Sequence, residues 1–180
     1  FYTTPKPAWF QERYGSYEPS DKAGPLASPG VLATGNLFVR RDLFLASGGF
    51  SADYGITEQK RVYGDETAML LHIHATNPAL MSYYAPEMFV YHWVRPEKMN
   101  LRWLLHDRFI QGRNIHQVYG AANRANRNWI VLVTQSAAIG VLFLVDGCLL
   151  ALLRRRARFP YIQNYWYEST LHHVKTLGSL

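Results

Sequence analysis

Asp65 and Glu66 are adjacent carboxylates that follow Gly64 and open a stretch reading as helix from Asp65 to His74. A carboxylate in the first turn of a helix is favoured as the anion by ~0.3–1 kcal/mol. If it faces a cavity, it can take the proton from an attacking hydroxyl. Asp65 also suits the N-cap position, so helix capping is the plainer reading of the pair. His92 closes an apolar run that starts at Met88. A neutral imidazole there can ligate Mn²⁺ or Mg²⁺, although oxygen ligands suit Mg²⁺ better; the alternative is a buried strand-end histidine with a satisfied hydrogen bond. Trp93 beside it offers a flat apolar face, for a sugar ring or for simple packing. Gly35-Asn36 joins a residue that permits close backbone approach to one that both donates and accepts hydrogen bonds. Arg102, Arg108 and Arg113 suit a diphosphate or a lipid-linked anion, and solvated surface is the plainer fate of any one of them. His72 and His74 stand two apart on the expected helix and point to different sides, so one ion cannot take both.

These residues need elements to hold them. Residues 1–30 are loop-like, broken by Pro5, Pro7, Pro19, Pro25 and Pro29, with a short helix expected from Ala8 to Tyr14. Val31–Arg40 reads as a strand interrupted by Gly35-Asn36. Arg41–Ser47 reads as a short helix that Gly48-Gly49 stops. A loop is expected from Ser51 to Gly64, then the helix that Asp65 would cap and Asn77-Pro78 ends. Leu80–Tyr84 and Met88–Trp93 read as strands around Ala85-Pro86. Asn100 suits the N-cap of a third helix, with Met99 and Leu104 at hydrophobic-staple spacing. Leu101, Leu104, Leu105 and Phe109 form its apolar stripe, and Gly112 marks its expected end.

Trp129–Leu153 is the most apolar run, longer than the ~20 residues a bilayer crossing needs. Asp146 inside it opposes a lipid-exposed crossing, since a charge at the bilayer centre costs ~3 kcal/mol or more. Arg108, Arg113, Arg124 and Arg127 precede the run, and Arg154, Arg155, Arg156 and Arg158 follow it. A single span would put one cluster on the wrong side by the positive-inside rule. A span, an in-plane helix and a helix docked on protein all remain open. Phe159–Leu180, with Tyr161, Tyr165, Trp166 and Tyr167, reads as an interfacial amphipathic segment.

Composition narrows the class. The 180 residues are 48% hydrophobic and 18% charged, which excludes a disordered chain. Aromatics reach 14%, a richness suited to carbohydrate contact or a membrane interface as well as to a core. The net charge is +6, but the arginines gather around the apolar run, which favours lipid headgroups over a nucleic-acid groove. Cys148 is the one cysteine, so no intrachain disulfide and no cysteine zinc site is possible. Phe1 is not an initiator methionine and no signal peptide is visible, so the sequence is expected to start within a longer protein.

The landmarks fall in a fixed order: Thr34-Gly35-Asn36, Arg40-Arg41, Gly48-Gly49-Phe50, Gly64-Asp65-Glu66-Thr67, Val90-Tyr91-His92 and Gln111-Gly112-Arg113. This order resembles the second half of family 2 glycosyltransferases of the GT-A fold, whose pattern runs G-x-N, R-R, G-G-F, G-E-D-T, V-Y-H and Q-G-R. The resemblance covers residues 34–113. It implies an α/β fold, the carboxyl-terminal half of a Rossmann-like GT-A domain over residues 1–118, followed by a helical membrane-associated tail over 119–180. It implies inverting transfer of a sugar from a nucleotide-sugar donor to a lipid-linked or cell-surface glycan acceptor, with the active site facing the cytoplasm. The family's base is the second carboxylate of its pair, here Glu66, with Asp65 its neighbour; the order is inverted to Asp-Glu. The resemblance further implies that Gly35, Asn36, Trp93 and Arg113 touch substrate and that His92 completes a divalent-metal site. Where the family often has arginine, this chain has His72, which weakens a diphosphate contact there. No D-x-D motif and no glycine-rich nucleotide fingerprint occurs, so the nucleotide half and most metal ligands are expected upstream. The competing expectation is an inactive membrane-anchored remnant or docking module. No nucleic-acid partner is expected.

Overall fold

A computed structural model describes residues 1–26, 34–56, 61–119 and 129–180. The chain forms two compact units: Gly15–His92 with Phe1, and Tyr2–Tyr14 with Trp93–Leu180. Residues 93–118, grouped by sequence with the first part of the chain, therefore fall in one unit with the tail.

In the first unit, β1 (Gly24–Pro25) pairs antiparallel with β4 (Tyr83–Tyr84), and β2 (Gly55–Ile56) pairs antiparallel with β3 (Arg61–Val62). The second pairing lies in the segment expected to be plain loop. Helix α1 (Arg41–Ala46) ends as expected: Gly48 and Gly49 have φ of 79° and 71°, a left-handed backbone that favours glycine. Helix α2 (Asp65–Thr76) buries Met69, Leu70 and Ile73 against Leu37, Val39, Leu43, Phe44 and Leu80. Its N-cap is Gly64 rather than Asp65. Gly64 has φ 106°, so the turn into the helix uses a glycine conformation and Asp65 is already the first helical residue.

Two expected strands are absent among the described residues. Residues 31–33 lie outside them; Thr34–Asn36 is a 3₁₀ turn, and 37–40 is irregular. Of 80–84 and 88–93, only Tyr83–Tyr84 pairs as a strand. Met88, Phe89, Val90 and Tyr91 are consecutive and all exposed, so both alternating faces of this run are bare. A run apolar on both faces is the pattern of a strand covered from both sides. The expected helix at 8–14 reduces to a 3₁₀ turn at Glu12–Tyr14.

The second unit is helical. Helix α3 (Leu101–Tyr119) begins as expected, with Asn100 Oδ1 accepting the Arg102 N–H at 2.8 Å. Met99 and Leu104 are buried in one cluster with Trp9, Phe10, Val94 and Leu171. The helix does not stop at Gly112; it continues to Tyr119. Among its described side chains Leu104, Asp107, Ile110, Gly112 and Asn114 are buried, while Phe109 is exposed.

Helix α4 (Trp129–Leu144) runs directly into a π-helical stretch, Val145–Leu150. Together, Trp129–Leu150 is a helix of 22 residues, long and apolar enough to cross a membrane. The Arg154 guanidinium then donates to the carbonyls of Ala151, Phe159 and Pro160, fixing the reversal that follows. The tail is continuous helix: α5 (Ile162–Tyr165), a π-helical stretch (Trp166–Thr170) and α6 (Leu171–Gly178). It is packed rather than laid out as a separate amphipathic segment. Asn164, Thr170 and Leu171 are fully buried, and Asn164 Nδ2 donates to the Trp9 carbonyl at 2.5 Å.

Helices α3 and α6 cross through glycine. A Cβ on Gly112 would stand 1.9 Å from the Lys175 carbonyl oxygen, and one on Gly178 would stand 2.2 Å from the Phe109 carbonyl oxygen. Only residues without a side chain allow two helix backbones this near.

Candidate functional site

The first unit carries the carboxylate pair. Gly64 turns the chain into α2, and the Ala68 N–H closes the first turn on the Gly64 carbonyl at 2.8 Å. Asp65 and Glu66 sit in that first turn, half-buried, while Thr67 behind them is buried. They therefore stand where helix-end N–H groups favour a negative charge. As expected, the histidines of this helix diverge: His72 is exposed, and His74 Nε2 lies 3.0 Å from Ser82 Oγ.

Asn36 lies in a different part of the same unit. Its Nδ2 donates to the Met88 carbonyl at 2.5 Å, tying the 3₁₀ turn to the exposed Met88–His92 run. A pocket of about 150 Å³ opens there, lined by Tyr17, Pro19, Asn36, Phe38, Tyr83, Tyr84, Ala85 and Met88. Gly35 faces open space, with no heavy atom within 4 Å of a would-be Cβ. Aromatic walls around one carboxamide are chemistry suited to a sugar ring, with apolar faces for C–H groups and a donor–acceptor for hydroxyls. Asp65 and Glu66 are not among the residues lining this pocket. Sequence reasoning found Asn36 but missed the walls. The signal was the Tyr83-Tyr84 pair before Ala85-Pro86, which reads equally well as a strand interior.

His92 is exposed, not a buried strand-end histidine. Among the described residues no group of three His, Cys, Asp or Glu side chains is placed to hold a metal ion. Trp93 and Arg113 belong to the second unit. Trp93 Nε1 donates to Thr3 Oγ1 at 3.2 Å with its ring 47% exposed, and Arg113 projects exposed from α3.

The second unit holds a polar cluster that sequence reasoning did not assemble. Asp146, buried within the apolar helix, accepts from the Tyr165 hydroxyl at 2.7 Å and the Thr170 hydroxyl at 2.8 Å. His173 Nε2 lies 3.7 Å away, and Trp166 Nε1 donates to the adjacent Gly147 carbonyl at 3.0 Å. Burial and the bond to Asp146 push the Tyr165 phenol up to about 12. Burial and the neighbouring His172 push the His173 imidazole down, against the pull of Asp146. The carboxylate is thus supplied with donors by the tail, which removes the objection that it would face lipid bare. A second cluster anchors residues 2–14. Tyr14 stacks on Tyr167 with ring centroids 3.9 Å apart, and its hydroxyl donates to Glu168 at 2.8 Å.

Comparison with protein-family models, with curated proteins and with solved structures finds no match to this chain.

Proposed function

We propose that this chain is the carboxyl-terminal, acceptor-side half of a membrane-associated family 2 glycosyltransferase, with its catalytic face toward the cytoplasm. The observation that carries the reading is the position of Glu66. It is half-buried in the first turn of α2, just after Gly64 leads into the helix with a left-handed backbone. That geometry gives physical meaning to the Gly-Asp-Glu-Thr order and sets an anion at a helix start. The landmark order over residues 34–113 and the aromatic pocket around Asn36 support the same reading.

In the proposed reaction Glu66 accepts the proton of the acceptor hydroxyl as that oxygen attacks the anomeric carbon. The bond from that carbon to the nucleotide diphosphate breaks on the opposite face, and the configuration inverts. Asp65 orients the turn, and Asn36 with the pocket aromatics receives the acceptor sugar. Trp93 and Arg113 are assigned to substrate contact by the family resemblance alone. A divalent ion would neutralise charge on the departing diphosphate. His92 supplies one ligand at most, so no step of this chain's chemistry is routed through the ion.

The test is sugar transfer from radiolabelled nucleotide sugars by membranes carrying the complete reading frame. Glu66→Gln keeps size and hydrogen bonding but cannot take the proton, so turnover should fall ~10²–10⁴-fold with donor binding retained. Normal turnover by this variant removes Glu66 as base. A complete unaltered protein that transfers no sugar from any donor favours the docking-module reading instead.

A further inference from the structure

From the contact between α3 and α6 we infer that the apolar helix does not cross the bilayer: the chain is monotopic, with α4 and its π-helical extension lying in a single leaflet whose headgroups are anionic. The inference rests on the membrane association proposed above and not on glycosyl transfer.

Helix α3 precedes the apolar helix in the chain, and α6 follows it. The two cross at backbone contact through Gly112 and Gly178, so they occupy the same compartment. If Trp129–Leu150 spanned, ~30 Å of hydrocarbon would lie between the segment before it and the segment after it. The contact would then need α3 and α6 inside the membrane, residues 120–128 recrossing it, or residues 151–170 returning across it. Residues 151–170 carry Arg154, Arg155, Arg156, Arg158 and Glu168 with Pro160 among them, so they do not make a second apolar span. Helix α3 carries Arg102, Asp107, Arg108 and Arg113, and α6 carries His172, His173 and Lys175, which rules out immersion in hydrocarbon. Residues 120–128 include Arg124, Arg127 and three asparagines, and they are too few to cross as a helix. A lipid-exposed extended strand would leave its backbone unsatisfied.

The faces of the helix agree with an in-plane position. Leu132, Ser136, Ile139, Gly140 and Phe143 are half-buried, and Asp146, Gly147 and Ala151 are buried, all on one stripe. That stripe meets the tail, with Phe143 against Trp166 and Gly147 against Thr170. The opposite side leaves Ile130, Val133, Val141, Leu144, Leu149 and Leu152 exposed, and Thr134 on it returns its hydroxyl to the carbonyls of Ile130 and Val131. A helix with protein along one side and bare aliphatics along the other has room for acyl chains on that other side only. Exposed Trp129 and Tyr161 stand at its two ends, the place aromatics take at a headgroup layer. Arginines flank both ends, and Arg155, Arg156 and Arg158 are exposed because Arg154 alone is used to cap the helix. In a span these flanks conflict; in one leaflet they serve the same surface. Each arginine near an anionic surface strengthens binding about 5-fold.

The test uses the complete protein in sealed inside-out membrane vesicles, with Cys148→Ser and one new cysteine at exposed His106 or exposed Ala157. A membrane-impermeant maleimide should label both positions equally from the outside, with no gain for either on permeabilisation. Labelling of one position only after permeabilisation means a span and overturns the inference. In a second arm, the protein should co-sediment with vesicles of phosphatidylglycerol and phosphatidylcholine, and Arg155→Gln/Arg156→Gln/Arg158→Gln should weaken this about 100-fold. Binding that is unchanged by the triple substitution, or equal on pure phosphatidylcholine, overturns the anionic-leaflet assignment. Neither arm requires sugar transfer, so failure here and failure of the glycosyltransferase reading are separate results.

Discussion

Gly112→Ala should destabilise the second unit, although alanine in a helix interior is ordinarily better than glycine by ~1 kcal/mol. The reversal follows from the crossing of α3 and α6. The added methyl would stand 1.9 Å from the Lys175 carbonyl oxygen, 2.8 Å from its carbon and 3.0 Å from the Ser179 nitrogen. Ordinary contact needs ~3.5 Å, so the two helices must part by roughly 1.5 Å, and all three obstacles are backbone that cannot swing aside. Overpacking of this kind costs ~1–3 kcal/mol and more where the backbone must move, so the top of that range applies. Subtracting the gain in helix propensity leaves a net loss of ~2 kcal/mol, or roughly 10 °C in melting temperature for a unit of this size. The control is Gly140→Ala in α4, where no heavy atom lies within 4 Å of the new methyl. It should be neutral or stabilising by up to ~1 kcal/mol. Thermal melts followed by far-ultraviolet circular dichroism in mild detergent report both. If Gly112→Ala melts at or above the parent temperature, as Gly140→Ala should, the crossing is not as close as described. The same-compartment argument would lose its support with it.

Three further outcomes are expected. Asp146→Ala leaves the Tyr165 and Thr170 hydroxyls without their acceptor, a loss of about 1–3 kcal/mol for each buried group, whereas Asp146→Asn keeps an acceptor and should cost less; equal melting of both variants and the parent would show the cluster to be idle. Tyr14 and Tyr165 have phenols raised from 10.0 to about 12, so the fold holds their protons more tightly than the unfolded chain does. Their contribution to stability is complete below pH 10 and is lost as the pH rises towards about 12; urea midpoints over that range should fall in the parent and fall less in Tyr14→Phe and Tyr165→Phe. Asp65→Asn should reduce sugar transfer far less than Glu66→Gln, because Asp65 is assigned to orienting the turn; the reverse order would place the base one residue earlier.

What sequence made legible was local. The glycine stop after α1, the reach of α2 to Asn77-Pro78, the Asn100 cap and the Met99–Leu104 staple each depend on residues within a few positions of one another. The misreadings share a different cause. Gly112 has the composition of a helix stop, and whether a glycine ends a helix or lets another helix approach depends on Lys175 and Ser179, more than sixty residues away. Asp65 satisfies the N-cap preference, but the cap fell to Gly64, whose left-handed backbone no side-chain rule anticipates. Met88–Trp93 has a strand's pattern on both faces, and a strand is a property of a pair of segments rather than of one. Of the candidate site, the position of Glu66 at a helix start was readable, while the walls of the Asn36 pocket come from three separate stretches and were not.

The apolar run shows the same division at the level of topology. Its length and hydropathy fit a crossing, an in-plane helix and a buried helix alike, because all three need twenty or so apolar residues. The arginines on both sides already set it against a simple span, but without contacts they were only an inconsistency. Asp146 pointed the same way, as a charge with no partner within its own helix. Both anomalies resolve through one fact from outside the run. The tail returns along it, bringing Tyr165 and Thr170 to Asp146 and α6 to α3. Once the flanks are held together, the carboxylate has its donors, and in the single-leaflet arrangement proposed above arginines before and after the run no longer conflict. For a glycosyltransferase acting on a lipid-linked acceptor, a helix lying in one leaflet would hold the second unit at the headgroup layer, where such an acceptor presents its sugar. That link between anchor and substrate depends on the leaflet arrangement, and the two-position labelling experiment decides it.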